Sequence, residues 1–202
     1  MCFSKNNDKG SDLFSFLEAR DFEPFPEAEA RNIFVQLLDA VSYCHSNGIV
    51  HFDIKIENIM YNPVTKLVTL IDFGLCEFIT KENQGMFSKC AGSLDYCAPE
   101  LMKRGPKFFG TNADVFSLGV VLFVLLTGCL PFDLKLRLKA ALNGLRHPFI
   151  EFVGDLSETS KGLLKAMLEP NPAYRIDLKS IYQHSWLQQD QHSRNVFCRL
   201  FK

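Results

Sequence analysis

Four polar residues, Asp53, Lys55, Asn58 and Asp72, fall close together in the segments "HFDIKIENIM" and "DFGL". Asp53 can take a proton from a hydroxyl. Lys55 can neutralise charge on a phosphoryl group in flight. The amide oxygen of Asn58 and the carboxylate of Asp72 are hard oxygen ligands of the kind that suit Mg²⁺ when phosphates and water complete its shell. Phosphoryl transfer asks a protein for positioning and cation placement rather than covalent work. A base, a cation and a metal site are what these side chains would supply.

To act together they need the chain to fold back between them. Ile59 to Tyr61 and Leu67 to Ile71 are rich in β-formers, and Asn62-Pro63 is a turn signal. A hairpin centred near Thr65 would set residue 58 opposite residue 72, so that Asn58 and Asp72 meet at its open end. Asp53 and Lys55 lie in the loop just before. Upstream, Pro26 to Ser46 reads as a helix. Pro26 suits its first position, and Glu27 and Glu29 suit its first turn. Ile33, Leu37, Val41 and Cys44 share one face, with Phe34 and Leu38 beside it, and Asn47-Gly48 is the stop. A shorter helix is expected over Ser11 to Arg20, capped by Ser11 or Asp12. Residues 76 to 113 read as irregular apart from a short helix near Pro99 to Lys103. From Asp114 the chain reads as helical, with segments at Leu134 to Leu145, Ser157 to Leu168 and Leu178 to His184.

The bulk numbers leave few other classes open. A chain of 202 residues, 47% hydrophobic and 22% charged with net charge −1, can bury one sizeable core. It carries no basic block suited to nucleic acid or to a membrane surface, the densest cluster being pairs such as Lys103-Arg104. Seven scattered cysteines with no CxxC pair argue against a zinc ribbon. The odd count and the polar start "MCFSKNNDKG" favour a reduced, cytoplasmic setting over secretion. Val115 to Phe132 has the length and apolarity of a membrane span. Gly119, Gly128 and Pro131, and Asp114 and Asp133 at its borders, fit a helix buried all round instead.

Taken in order, these landmarks resemble the eukaryotic serine/threonine protein kinases. "HFDIKIEN" resembles the family's catalytic loop and "DFG" its metal loop. "GSLDYCAPE" is similar to the end of the activation segment, "ADVFSLG" to the start of the buried central helix, and "HSWL" to the closing motif of the domain. The resemblance runs from about Gly10 to Leu187, after a polar leader (1–9) and before a tail (188–202). It implies a mainly α fold: the helical C-terminal lobe of a kinase with a small β-hairpin at the catalytic site. It makes Asp53 the catalytic base, Lys55 the γ-phosphate contact, and Asn58 and Asp72 the Mg²⁺ ligands. Met60 would form part of the floor beneath ATP. Ser93 would bond Asp53 and Lys55 and support the acceptor hydroxyl, and Glu100 would pair with Arg175. Glu57 and Asp12 stand where basophilic kinases read a basic residue upstream of the target. Ile56, where most members have Pro, resembles the Kin and MARK branch.

The chain also departs from the family pattern. Phe52 replaces the Arg that grips a phosphate on the activation loop, and Lys89 stands where the phosphorylated Thr would be. A Phe cannot bind phosphate by paired hydrogen bonds, and a Lys cannot mimic one. The expectation is that loop phosphorylation is not the switch, Ser88 being the one remaining candidate. The family's N-terminal lobe is expected to be absent. No GxGxxG occurs in the sequence, and neither Lys5 nor Lys9 sits in a VAIK-like strand. Losing one electrostatic contact to a transition state costs about 2.7–4 kcal/mol, so these residues alone are expected to bind ATP poorly and transfer phosphate slowly. Three readings follow: a serine/threonine kinase acting on protein substrates, a catalytically inactive kinase-like scaffold or regulatory module, and a lobe completed by a partner covering its upper face.

Overall fold

A computed structural model describes residues 10–102, 107–143 and 150–188. The polar leader 1–9, the pair Lys103-Arg104, Leu145 and the tail from 189 onward lie outside the described residues. The elements run β1 (Ser11–Asp12), α1 (Leu13–Glu18), α2 (Glu27–Ser46), β2 (Ile49–Val50), β3 (Ile59–Tyr61), β4 (Val68–Leu70), β5 (Glu77–Phe78), β6 (Met86–Phe87), β7 (Phe108–Phe109), α3 (Gly110–Thr127), α4 (Leu134–Asn143), α5 (Glu158–Met167), α6 (Leu178–Gln183) and α7 (Ser185–Gln188). Single 3-10 turns cover Ile56–Asn58 and Pro99–Leu101. The described residues are thus mainly helical, with three small antiparallel sheets ordered β1-β3-β4, β2-β5 and β6-β7.

The core is organised around α3. Its residues from Ala113 to Leu126 are all buried, because an apolar helix can satisfy its backbone internally while other elements cover every face. Its most apolar stretch is long enough to cross a membrane, yet 83% of it is packed inside the protein, where α2 and α5 lie against it. It stops at Gly128, which takes φ +71°. A Cβ there would stand 1.9 Å from the carbonyl oxygen of Phe22, so only glycine fits. Helix α2 buries Ala30, Ile33, Phe34, Leu37, Leu38, Val41 and Cys44. Helix α5 buries Ser160, Leu163, Leu164 and Met167, the i, i+3, i+4, i+7 stripe of a half-buried helix.

Several boundaries differ from the sequence expectation. Pro26 is the N-cap of α2 with extended backbone, not its first helical residue, because its ψ of 142° is not helical. The capping residue of α1 is Asp12, whose carboxylate accepts from the Ser15 amide, while Ser11 pairs with Tyr61 in the sheet. The expected helix near Pro99 is one 3-10 turn. Strands β5 to β7 fall in the stretch expected to be irregular. They are two residues each, too short to carry periodicity.

Glu27 joins the two ends of the fold. It accepts from the Ser157 amide and hydroxyl, from Ser160 Oγ and from the indole nitrogen of Trp186 at 2.8–3.0 Å. Burial alone would raise its pKa, but these donors outweigh it and hold the carboxyl below its ordinary value. A depressed folded-state pKa contributes stability above the unfolded value of about 4.3 and loses it as pH falls through the folded value. Glu27→Gln is therefore expected to destabilise by about 1–2 kcal/mol at pH 7, the worth of charge-assisted bonds at a partly buried site. That difference should vanish in acid, where Glu27 is protonated too. Urea melts of both proteins across pH 3–7 check this, and a pH-independent difference would contradict it.

Candidate functional site

Helix α2 ends at Ser46 with Asn47 as its cap, and β2 leads directly into the loop His51–Lys55. Asp114, buried at the head of α3, holds that loop. Its carboxylate accepts the amides of His51 and Phe52 at 2.9 Å each and meets His45 Nε2 at 2.8 Å. Phe52 adopts φ +63°, a conformation uncommon for a bulky side chain and held here by the hydrogen bond its backbone amide donates to Asp114. His51, also buried, faces the carbonyl of Ile71 through Nε2 at 3.2 Å and so ties the loop to the far strand of the hairpin.

The carboxylate of Asp53 sits at the centre. Oδ1 accepts the amide and hydroxyl of Ser93 at 3.0 and 2.9 Å. Oδ2 accepts Asn58 Nδ2 at 3.0 Å and stands 3.0 Å from Lys55 Nζ. Lys55 also donates to Ser93 Oγ at 2.8 Å. Burial raises the Asp53 pKa, but Lys55 and Ser93 together draw it below its ordinary value, so the group is a carboxylate at neutral pH. Ser93, in the stretch that resembles the end of an activation segment, is thereby drawn to Asp53. Gly92 makes the approach possible: it takes φ +87°, and a Cβ would lie 2.6 Å from the Phe52 carbonyl oxygen.

The hairpin forms, but one residue out of the expected register. Ile59 pairs with Leu70, Met60 with Thr69 and Tyr61 with Val68, so Asn58 faces Ile71, whose amide bonds the Asn58 carbonyl at 2.9 Å. The turn Asn62–Lys66 is closed by the Lys66 amide on the Asn62 carbonyl, with Lys66 at φ +60°, and this asymmetric turn sets the offset. Asp72 lies one step past the pair, at φ +62°, exposed and accepting the Gly74 amide through Oδ1. Asn58 is buried and spends its NH₂ on the Asp53 carbonyl and carboxylate, which leaves its amide oxygen for a cation. One amide oxygen and one free carboxylate oxygen are a hard-oxygen donor set that fits Mg²⁺, which takes few protein ligands and keeps waters or phosphates for the rest. Met60 is half-buried on the central strand of the sheet, opposite Asp12. Asp12 spends both carboxylate oxygens on Ser15, while Glu57 is exposed.

Glu100 and Arg175 form a bidentate pair at 2.6 and 3.0 Å, with the guanidinium fully buried over the Phe116 ring. Phe52 is buried edge-on against Phe87 and Phe108. Lys89 crosses above it, its Nζ 4.4 Å from the ring centroid and 3.0 Å from Glu77 Oε1. Two residues that organise the site carried no function in the sequence reading. Asp114 could have been found as the last charge before the long uncharged run. Arg137, described below, had no such signal.

The protein kinase domain model matches residues 2–187. The chain belongs to the eukaryotic serine/threonine protein kinase family. The chain is 35% identical over 197 residues to calcium-dependent protein kinase 21 of Oryza sativa subsp. japonica, covering 93% of the chain and 33% of that relative. It is 35% identical over 190 residues to a probable serine/threonine-protein kinase KIN1 homolog of Encephalitozoon cuniculi, covering 92% of the chain and 32% of the relative. It is 36% identical over 189 residues to serine/threonine-protein kinase ppk25 of Schizosaccharomyces pombe, covering 94% and 42%. The chain thus spans about a third to two-fifths of these relatives' length. A KIN1 homolog and a calcium-dependent kinase match equally well, so identity does not single out the Kin and MARK branch.

Proposed function

We propose that this kinase transfers the γ-phosphate of ATP to serine or threonine of protein substrates, with Asp53 as the base. The observation that carries the reading is the convergence of Ser93, Lys55 and Asn58 on one ionised carboxylate. In this reading Asn58 and Asp72 hold Mg²⁺, which when bound would neutralise the phosphates. Asp53 accepts the proton of the acceptor hydroxyl as the oxygen attacks the γ-phosphorus and the bond from that phosphorus to the β–γ bridging oxygen breaks, releasing ADP. Lys55, held between Asp53 and Ser93, offsets charge on the group in transfer. Met60 lines the nucleotide floor, and Glu57 and Asp12 favour a basic residue upstream of the target. The free thiols Cys44, Cys76, Cys90, Cys97 and Cys129 fit a cytoplasmic setting.

The sequence holds no phosphate-covering GxGxxG. Phe73 and Leu75, each 43% exposed, give the turn after Asp72 an apolar outer face. We assign that face to a covering polypeptide segment or partner, without which ATP is held weakly. The test is phosphotransfer from Mg·ATP to a serine/threonine peptide array by the polypeptide isolated from its own cells, with Asp72→Asn as control. Transfer that is lost with Asp72→Asn supports the reading. No transfer and no Mg·ATP binding would leave the kinase-like scaffold, which the replacement of the phosphate-gripping Arg by Phe52 favours.

Phosphatase treatment is expected to leave the rate unchanged, because Lys89 already bridges the loop to Glu77 and to the face of Phe52. Lys89→Glu sets like charges together, so the segment 77–90 should become more sensitive to limited proteolysis. A phospho-Ser88 form of much higher activity would contradict the first expectation, and unchanged proteolysis of Lys89→Glu the second.

A further inference from the structure

Arg137, on α4, is a buried cation with an unusual set of partners. The residue is 1% exposed. Its Nη1 donates to the carbonyls of Leu94 and Asp95 at 2.8 Å each, and its Nη2 donates to the carbonyl of Cys97 and lies 3.6 Å from Met102 Sδ. The guanidinium stands 5.6 and 5.4 Å from the ring centroids of Phe116 and Phe132. Its Nε is buried without an acceptor. No carboxylate among the described residues is bonded to it. Burying such a charge is costly, and an apolar side chain of the same length would fill the slot without that cost. The charge therefore has to be accounted for by what it grips.

The gripped segment follows Ser93. The amides of Tyr96 and Cys97 turn back onto the Ser93 carbonyl at 2.9 and 2.8 Å. The remaining carbonyl in the segment, that of Tyr96, is taken by Ser117 Oγ at 3.1 Å. Every carbonyl from Leu94 to Cys97 is thus directed inward and bonded, three of them by one guanidinium. The side chain of Leu94 is turned outward, 46% exposed, beside the Ser93–Asp53 bond. A planar fork with fixed donors can hold three carbonyls in one arrangement, which an ammonium on a flexible stem cannot.

We propose that Arg137 is a positioning residue for the protein substrate, fixing the Leu94–Cys97 backbone as the platform on which the acceptor segment lies in register with Asp53. This rests on the kinase reading above. It makes the platform depend on a buried cation from α4 rather than on a phosphate.

The test compares the full chain with Arg137→Met and Arg137→Lys by hydrogen exchange and by peptide phosphorylation. In Arg137→Met, exchange at the Tyr96 and Cys97 amides should speed up by ~10-fold or more, while the amides of α3 keep their protection. The KM for peptide should rise ~10-fold, with kcat and the KM for ATP within about twofold. Arg137→Lys should recover part of both effects, since it restores charge and a donor. An unchanged peptide KM, or faster exchange spread evenly through α3, would overturn the proposal, the latter marking Arg137 as a general support of the fold. A wild-type chain that phosphorylates no peptide would remove the kinase reading and the platform role together. An active wild type with an unaltered Arg137→Met removes only the role of Arg137.

Discussion

Asp53→Asn is expected to lower phosphotransfer by about 10²–10⁴-fold, the usual worth of a positioned general base, while Mg·ATP binding through Asn58 and Asp72 persists. The carboxylate accepts from four donors: the Ser93 amide and hydroxyl, Asn58 and Lys55. An asparagine offers one acceptor oxygen and turns an NH₂ toward the other pair of donors, either the two of Ser93 or those of Asn58 and Lys55, so the loss includes misplacement of that pair as well as loss of the base. The pH profile carries a second signature. Burial raises the Asp53 pKa, Lys55 and Ser93 together lower it by more, and the net shift is downward. The acid limb due to this group should therefore lie below the ordinary aspartate value of about 3.9, and the rate should not fall on its account between pH 5 and 8. Single-turnover assays with both proteins across pH measure the two effects. A variant within about tenfold of wild type would remove Asp53 from the role of base.

The largest structural effect is expected at Arg175. Arg175→Met should destabilise the protein by ~3–5 kcal/mol, the cost of breaking a buried ion pair by removing one partner. Glu100 would keep its charge at a position only 11% exposed, with both of its guanidinium bonds gone. The carbonyls of Glu169, Asn112 and Pro170 would lose their donors at the same time. For a chain of this size the melting temperature should drop by roughly 10 °C. Adding Glu100→Gln should recover part of the loss, because the stranded charge is then removed. Calorimetry on the single and double variants gives both numbers. A single-variant loss under about 1 kcal/mol would mean that the pair is solvated. Because the pair joins the end of the activation segment to the α5–α6 connection over Phe116, its loss should be felt at the peptide platform as well.

Much of this architecture can be read along the chain. The apolar stripe of α2, the all-round apolarity of α3 and the capping residues Asp12 and Ser157 are local patterns. So is the hairpin, because β-formers flanking Asn62-Pro63 need no distant partner to declare themselves. Its register was legible only to within one residue, because the side-chain alternation of a three-residue strand does not decide between neighbouring pairings and the conformation of Lys66 does. The two-residue strands β5, β6 and β7 leave no periodic trace, since pairing partners far along the chain create them.

By itself the sequence determined the order of elements, the family, and the residue types gathered around Asp53. All of these follow from local propensity, apolar period and the spacing of short motifs. The tertiary structure alone decided that Asp114 holds the loop His51–Lys55 from the head of α3. It also decided that Lys89 lies over Phe52, and that Arg137 takes the carbonyls of the segment after Ser93. Each of these contacts joins residues far apart along the chain. A lysine, an arginine or an aspartate has the same appearance in sequence whether it ends in water or in a buried network, and only packing brings its partner to it.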